Sequence, residues 1–273
     1  MIFVFDLDGT ICFKGKPLSQ EICDALNVCK QQGHEIVFAS ARPIRDLLPV
    51  LPEEFRQYRM VGGNGAFTYA DQEIKTRTFT IEAVNHIKQI IETNQLTYLI
   101  DSDWDYSYTG DRHHPIFRNL DPEKRAVNQP LAQLSKITKI VLFTRDQAVK
   151  QQLEKLSVQV YEHGNEELMD ISPSGIHKVE GLRQLGILPG EFIAFGNDQN
   201  DLELFQNAKY SVCVGEHPIK EFASTFIGIE DVPFKIKEIS ELYHQRGLLL
   251  EADIYSARAS YHGLIQTRMG FFF

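Results

Sequence analysis

The stretch Ile2-Phe3-Val4-Phe5-Asp6-Leu7-Asp8-Gly9-Thr10 decides how this chain is read. Four apolar residues run without a break into two aspartates, a glycine and a hydroxyl residue. Such a run describes a buried strand ending in a turn, with carboxylates where the strand stops. Residues two apart on an extended segment point the same way, so Asp6 and Asp8 are expected to converge on one small volume. Two carboxylates crowded together there are costly unless a cation joins them, and oxygen ligands of this kind suit Mg²⁺.

The rest of the chain bounds what such a site could serve. Its 273 residues allow one large or two modest domains with ample core. A formal net charge of −9, with no basic run, argues against nucleic acid as a partner. It leaves room for a phosphorylated substrate, because a metal and a few local cations set the potential inside a cleft. No apolar stretch is long enough to span a membrane, and the start carries no signal-peptide pattern. Cys12, Cys23, Cys29 and Cys213 lack zinc-like spacing and are too sparse for a disulfide scaffold, so a reduced, cytoplasmic protein is expected.

Working outward, strand and helix alternate. A helix is expected from about Ser19, with Ile22, Leu26 and Cys29 among its apolar positions and Gly33 as its stop. Glu35 to Ala39 is a second strand, followed by Ser40-Ala41-Arg42-Pro43, with Pro43 placed for the first turn of a new helix. Met60-Val61 leads into Gly62-Gly63-Asn64-Gly65 and a hairpin. This order predicts an α/β fold, a mostly parallel sheet with helices on both faces. The middle differs: two helical patterns (81–93 and 147–156) stand beside several strands, the makings of an α+β unit. Lys178 to Leu185 returns to helix, and Phe192-Phe195 and Tyr210-Val214 to apolar strand.

Polar groups gather at four points of the core: Asp6 and Asp8, Ser40, the helix bearing Lys178, and Gly196-Asn197-Asp198-Gln199-Asn200-Asp201. Open α/β sheets bind ligands at the carboxyl ends of their strands. With these motifs in hand, the whole chain resembles the Cof-type phosphatases of the haloacid dehalogenase (HAD) superfamily. The resemblance implies a doubly wound core, residues 1–81 and 173–273, interrupted by an inserted α+β cap, 82–172, that sets specificity. It implies Asp6 as the nucleophile that forms an aspartyl-phosphate and Asp8 as general acid and base. Ser40 with neighbouring amides would hold the phosphate, and Lys178 would neutralise it. Ser40, Ala41, Arg42, Asn64, Lys178 and Asn200 are expected at the substrate, although Arg42 could instead serve the helix start and Asn64 a plain turn. Mg²⁺ would be held by Asp6, the Asp8 carbonyl, Asn197 and Asp201, with Asp201 ligating directly, through water, or bracing Lys178.

Two departures matter. Ala41 stands where a Thr-Gly-Arg motif has glycine, and Asn197 stands where the last motif usually has aspartate, unless Asp198 takes that part. A carboxamide oxygen ligates Mg²⁺ without adding charge, so a weaker metal site is expected. In the cap, Trp104, Arg112 and His113 are candidates for reading the rest of the substrate; a solvated hairpin is the simpler account of them. The tail after about 246, ending Phe271-Phe272-Phe273, is too apolar for water and is expected to pack on the core or on a second subunit, so monomer and homodimer both stay open. The activity expected is Mg²⁺-dependent hydrolysis of a small phosphorylated metabolite, a sugar phosphate or a phosphorylated cofactor. A phosphotransferase or phosphomutase on the same scaffold and a non-catalytic ligand-binding protein are the alternatives.

Overall fold

The structure is a computed structural model and describes residues 1–163 and 167–248. The expectation for the tail beyond 248, and for a turn at Gly164-Asn165, lies outside the described residues.

The first third of the chain runs β1 (Ile2–Phe5), α1 (Gln20–Gln31), β2 (Glu35–Ala39), α2 (Ile44–Leu47), β3 (Met60–Gly62), β4 (Phe67–Ala70) and β5 (Glu73–Thr76). The middle holds α3 (Ile81–Asn94), β6 (Tyr98–Asp101), β7 (Tyr106–Tyr108), α4 (Pro115–Asn119), β8 (Lys139–Leu142), α5 (Gln147–Leu153), β9 (Val158–His163) and β10 (Leu168–Pro173). The remainder is α6 (Lys178–Gln184), β11 (Phe192–Gly196), α7 (Leu202–Asn207), β12 (Tyr210–Val214), β13 (Thr225–Ile227) and a helix over 232–248.

Eight strands form one sheet in the order β13-β12-β11-β1-β2-β3-β4-β5, parallel from β13 to β3, with β4 and β5 added antiparallel. The central strand is β1, paired in parallel with β11 on one side and β2 on the other. Its alternation explains the two layers. Phe3 and Phe5 pack with Ile22 and Leu26 of α1 and with Ile236 and Ile239 of the helix over 232–248. Val4 faces the opposite way, among Val179 and Leu182 of α6 and Leu204 and Phe205 of α7. Each fully buried side chain of this size contributes about 1.5–3 kcal/mol over leaving it exposed, so the strand that carries the aspartates is also the best anchored. The helix expected at Pro43 forms as a single turn with Pro43 as its N-cap, and Pro49 and Pro52, which follow it, deny the backbone donors a longer helix needs.

Between β5 and α6 the chain builds a separate antiparallel sheet, β7-β6-β8-β10-β9. One face packs on α3 and α5 through Ile100, Ile140, Leu142, Met169 and Ile171. The other face sets Leu99, Val141 and Asp170 in one cross-strand row, turned toward the carboxyl ends of the large sheet.

Candidate active site

β1 ends one residue short of both its neighbours, and the chain turns at once. Leu7 is fully buried between the two aspartates, and its carbonyl receives the amides of Thr10, Ile11 and Cys12 at 3.1, 3.0 and 2.8 Å. The turn is therefore wound around one oxygen. Gly9 closes it with φ +82°, and a Cβ there would run into the Asn197 side chain, so the β1 and β11 loops touch through a residue without a side chain.

Asp6 is buried and holds two contacts: Lys178 Nζ at 2.7 Å on one carboxylate oxygen and Thr10 Oγ1 at 2.9 Å on the other. Lys178 is 0% exposed at its side chain and sits between Asp6 and Asp201, 2.6 Å from the latter. The second Asp201 oxygen receives the amides of Asn197 and Asp198 at 2.9 and 3.2 Å. Asp201, expected among the metal ligands, thus spends both oxygens bracing the lysine and the loop. Burial pushes the Asp6 carboxyl up, to about 7, against the pull of Lys178 and with further repulsion from Asp201. The same two carboxylates outweigh burial at Lys178 and hold its ammonium protonated.

Asp8 is half-exposed, and Arg42 grips it through both oxygens at 2.6 and 2.7 Å. The Ser40 hydroxyl is buried and accepts the Arg42 amide at 3.1 Å, which ties the loop after β2 into a tight turn. Asn64 adopts the left-handed conformation that asparagine tolerates, φ 54°, and accepts from Asn200 Nδ2 at 3.2 Å. Asn200 in turn lies 3.5 Å from Lys178.

Among the described residues no cluster of three His, Cys, Asp or Glu side chains is poised for a metal. The oxygen donors nonetheless suit a hard cation. The single Thr10 hydroxyl proton faces two acceptors, Asp6 at 2.9 Å and Asn197 Oδ1 at 3.1 Å, and can serve only one. Two converging oxygens short of a donor, one of them on a buried carboxylate, suit a hard cation of the Mg²⁺ kind. Asp198 is engaged elsewhere: it caps the 199–201 turn and meets His217 at 3.2 Å.

A cavity of about 1030 Å³ opens in front of these groups, closed on its far side by the inserted sheet. Asp6, Asp8, Ala41, Arg42, Asn197 and Asn200 line it, whereas Ser40, Asn64, Lys178 and Asp201 lie buried behind them. Two polar ties join the core to the inserted unit, one of them an ion pair. Arg45 of α2 pairs with its neighbour Asp46 and reaches Asp101 at 2.8 Å and the Trp104 carbonyl at 2.7 Å. Lys139 of β8 pairs with Asp170 at 2.8 Å and donates to the Ala41 carbonyl at 2.5 Å, and Asn64 approaches Asp170 at 3.4 Å.

A model of the haloacid dehalogenase-like hydrolases matches residues 3–229. The chain belongs to that family. Among curated relatives, it is 24% identical over 234 residues to 5-amino-6-(5-phospho-D-ribitylamino)uracil phosphatase YitU of Bacillus subtilis, covering 78% of this chain and 86% of the relative. It is 22% identical over 239 residues to the HMP-PP phosphatase of Serratia proteamaculans, covering 77% of this chain and 82% of the relative. Among solved structures, a HAD subclass IIB sugar phosphatase shares the fold with a TM-score of 0.70 at 18% identity, over 90% of this chain and 98% of that one. Membership and phosphatase relatives together make this HAD-family chain a phosphatase.

On this HAD scaffold the residues suggested for the inserted unit stand elsewhere. Arg112 and His113 are exposed and, like Trp104, do not line the cavity; Trp104 donates its ring N–H to the Arg125 carbonyl. The inserted unit instead contributes Leu99, Val141, Leu168, Lys139 and Asp170. A signal for the last two was present in the sequence: each is a charge on an otherwise apolar strand, Lys139 before Ile140-Val141-Leu142 and Asp170 between Met169 and Ile171. A charge in such a place asks for a buried partner.

Proposed function

We propose that this protein hydrolyses a phosphate monoester of a small metabolite, such as a sugar phosphate or a phosphorylated cofactor, through an aspartyl-phosphate on Asp6, with residues 82–172 acting as the cap over the site. The observation that carries the reading is the fully buried Lys178 ammonium, pinned between Asp6 and Asp201 behind a large cavity. A lysine held there fixes the Asp6 rotamer and offsets the charge that builds up when a carboxylate meets a phosphate dianion. Mg²⁺, when bound at Asp6, Asn197 and the Asp8 carbonyl, would screen the repulsion between the two anions.

Asp6 attacks phosphorus, and the bond to the leaving oxygen breaks. Asp8 gives that oxygen its proton, then takes one from the water that attacks the aspartyl-phosphate and releases inorganic phosphate. The Arg42 clamp must open for Asp8 to carry a proton, so Arg42 sets when Asp8 becomes available. The test is release of inorganic phosphate from 4-nitrophenyl phosphate with and without Mg²⁺, in wild type and Asp6→Asn. Activity that needs Mg²⁺ and vanishes in the variant supports the reading; turnover near the wild-type rate in Asp6→Asn removes the nucleophile. Added sugars or alcohols that divert phosphate from water to themselves would turn the assignment to a phosphotransferase.

A further inference from the structure

The cavity has a balance of charge that the phosphoryl site does not use. Each carboxylate facing it has a basic partner: Asp6 with Lys178, Asp8 with Arg42, Asp46 and Asp101 with Arg45, Asp170 with Lys139, and Asp198 with His217. Two cations that also line it, Lys14 and Arg118, have neither an ion pair nor a hydrogen bond among the described residues. An unpaired positive pair in a cleft focuses the field on whatever enters.

These two cations are placed together by the fold. Lys14 and Gly15 are the central residues of a turn closed by the Lys16 amide on the Phe13 carbonyl at 3.2 Å, and both have positive φ, 57° and 66°. That is the pattern of a type I′ turn, which glycine, asparagine and aspartate fill without strain and lysine does not. Arg118 lies on α4 of the inserted unit. Its neighbour Asn119 packs on the neighbour of Lys14: a Cβ on Gly15 would stand 2.7 Å from Asn119 Oδ1. Lys14 and Arg118 are therefore the immediate chain neighbours of the two residues that meet at one contact between the loop after β1 and α4. The same cavity also has an apolar share of wall, from Leu99, Ile116, Leu120, Val141 and Leu168.

We infer that Lys14 and Arg118 form a second anion subsite, and that the preferred substrates of this phosphatase carry, beyond the scissile phosphate, a second anionic group, a carboxylate or another phosphoryl group. The inference rests on the phosphatase reading above and narrows its substrate class. The cavity is far larger than one phosphoryl group requires, and its lining includes a cationic pair with no ion-pair partner among the described residues. An uncharged leaving group would leave that pair unused; a second anion meets it with little desolvation, because both side chains are already exposed.

The test compares matched ligands as competitors of 4-nitrophenyl phosphate turnover: fructose 1,6-bisphosphate against fructose 6-phosphate, and 6-phosphogluconate against glucose 6-phosphate. In the wild type the doubly anionic member of at least one pair should inhibit roughly tenfold more tightly, and the gap should shrink as salt is raised. In the Lys14→Gly/Arg118→Gln double variant the gap should close to about twofold, with 4-nitrophenyl phosphate kinetics unchanged. Glycine suits the turn at position 14, so the variant is expected to fold. Absence of a gap in both wild-type pairs, or a gap that survives in the double variant, overturns the inference. If 4-nitrophenyl phosphate is not turned over at all, the phosphatase reading fails instead, and the same gap is read from calorimetric Kd values.

Discussion

Asn197→Asp is the most informative single change, because its sign depends on whether a cation occupies the site. Thr10 Oγ1 stands 2.9 Å from Asp6 and 3.1 Å from Asn197 Oδ1, so the two side-chain oxygens are at most about 6 Å apart. A second carboxylate at that distance repels Asp6 by about 0.7 kcal/mol at the dielectric of water and about 3 kcal/mol at an effective value near 20. Asp6 is buried and Asn197 half-buried, so the cost in metal-free protein falls between those limits. At about 2–4 °C per kcal/mol for a chain of this size, Tm should drop by roughly 2–10 °C in the presence of a chelator. With Mg²⁺ the added charge becomes favourable, and a tenfold tighter Kd returns about 1.4 kcal/mol. The assay is thermal unfolding of wild type and variant across a Mg²⁺ titration, with activity titrated in parallel. The expected result is a Tm gap that closes or reverses as Mg²⁺ rises. A gap of the same size with and without Mg²⁺ refutes Asn197 as a ligand. If Asp198→Ala then abolishes Mg²⁺ activation while Asn197→Ala does not, the ligand is Asp198.

Asp8→Asn should slow hydrolysis of alkyl phosphates much more than that of 4-nitrophenyl phosphate, because only the poor leaving group needs a proton; equal loss on both substrates speaks against an acid role. Arg45→Met strands the buried Asp46 and Asp101 carboxylates and should cost about 3–5 kcal/mol in denaturant unfolding, partly recovered in Arg45→Met/Asp101→Leu; a loss under about 1 kcal/mol would show that this tie is not felt as a buried one. In metal-free buffer the raised Asp6 carboxyl adds stability that is complete below about pH 4 and is lost as pH rises through about 7. Tm measured from pH 4 to 8 with a chelator should show that decline in the wild type and not in Asp6→Asn.

What the sequence made legible was local. Apolar runs that stop at polar residues marked β1, β2 and β11, and parallel pairing then set their ends side by side, so Asp6, the Ser40 loop and the 196–201 loop had to meet. The inserted unit was readable as strands and helices because its apolar positions repeat with the right period. Its ties to the core were not readable. Arg45 with Asp101, and Lys139 with the Ala41 carbonyl, join residues 56 and 98 positions apart, and no local pattern announces such a pair. Trp104, Arg112 and His113 stood as candidates beside the simpler account of a solvated hairpin, since a surface loop and a binding wall share the same composition. The exposure of Arg112 and His113, and the absence of all three from the cavity lining, favour that simpler account. The role of Asp201 was left open for a related reason: an aspartate in a loop looks the same whether it holds a lysine or a metal.

The position of β1 has a consequence for how the protein is made. One of its two partner strands, β2, follows within 40 residues, but the other, β11, pairs Ile2 with Phe192, 190 residues later. At about 5–20 residues per second, one edge of Ile2–Phe5 stays unpaired for roughly 10–40 s while the inserted unit and α6 are still being synthesised. Throughout that interval a nascent chain exposes an apolar strand edge of the kind that recruits chaperones or neighbouring chains. It also lacks Lys178 and the Asn197 loop, so Asp6 waits on the ribosome without its ion-pair partner.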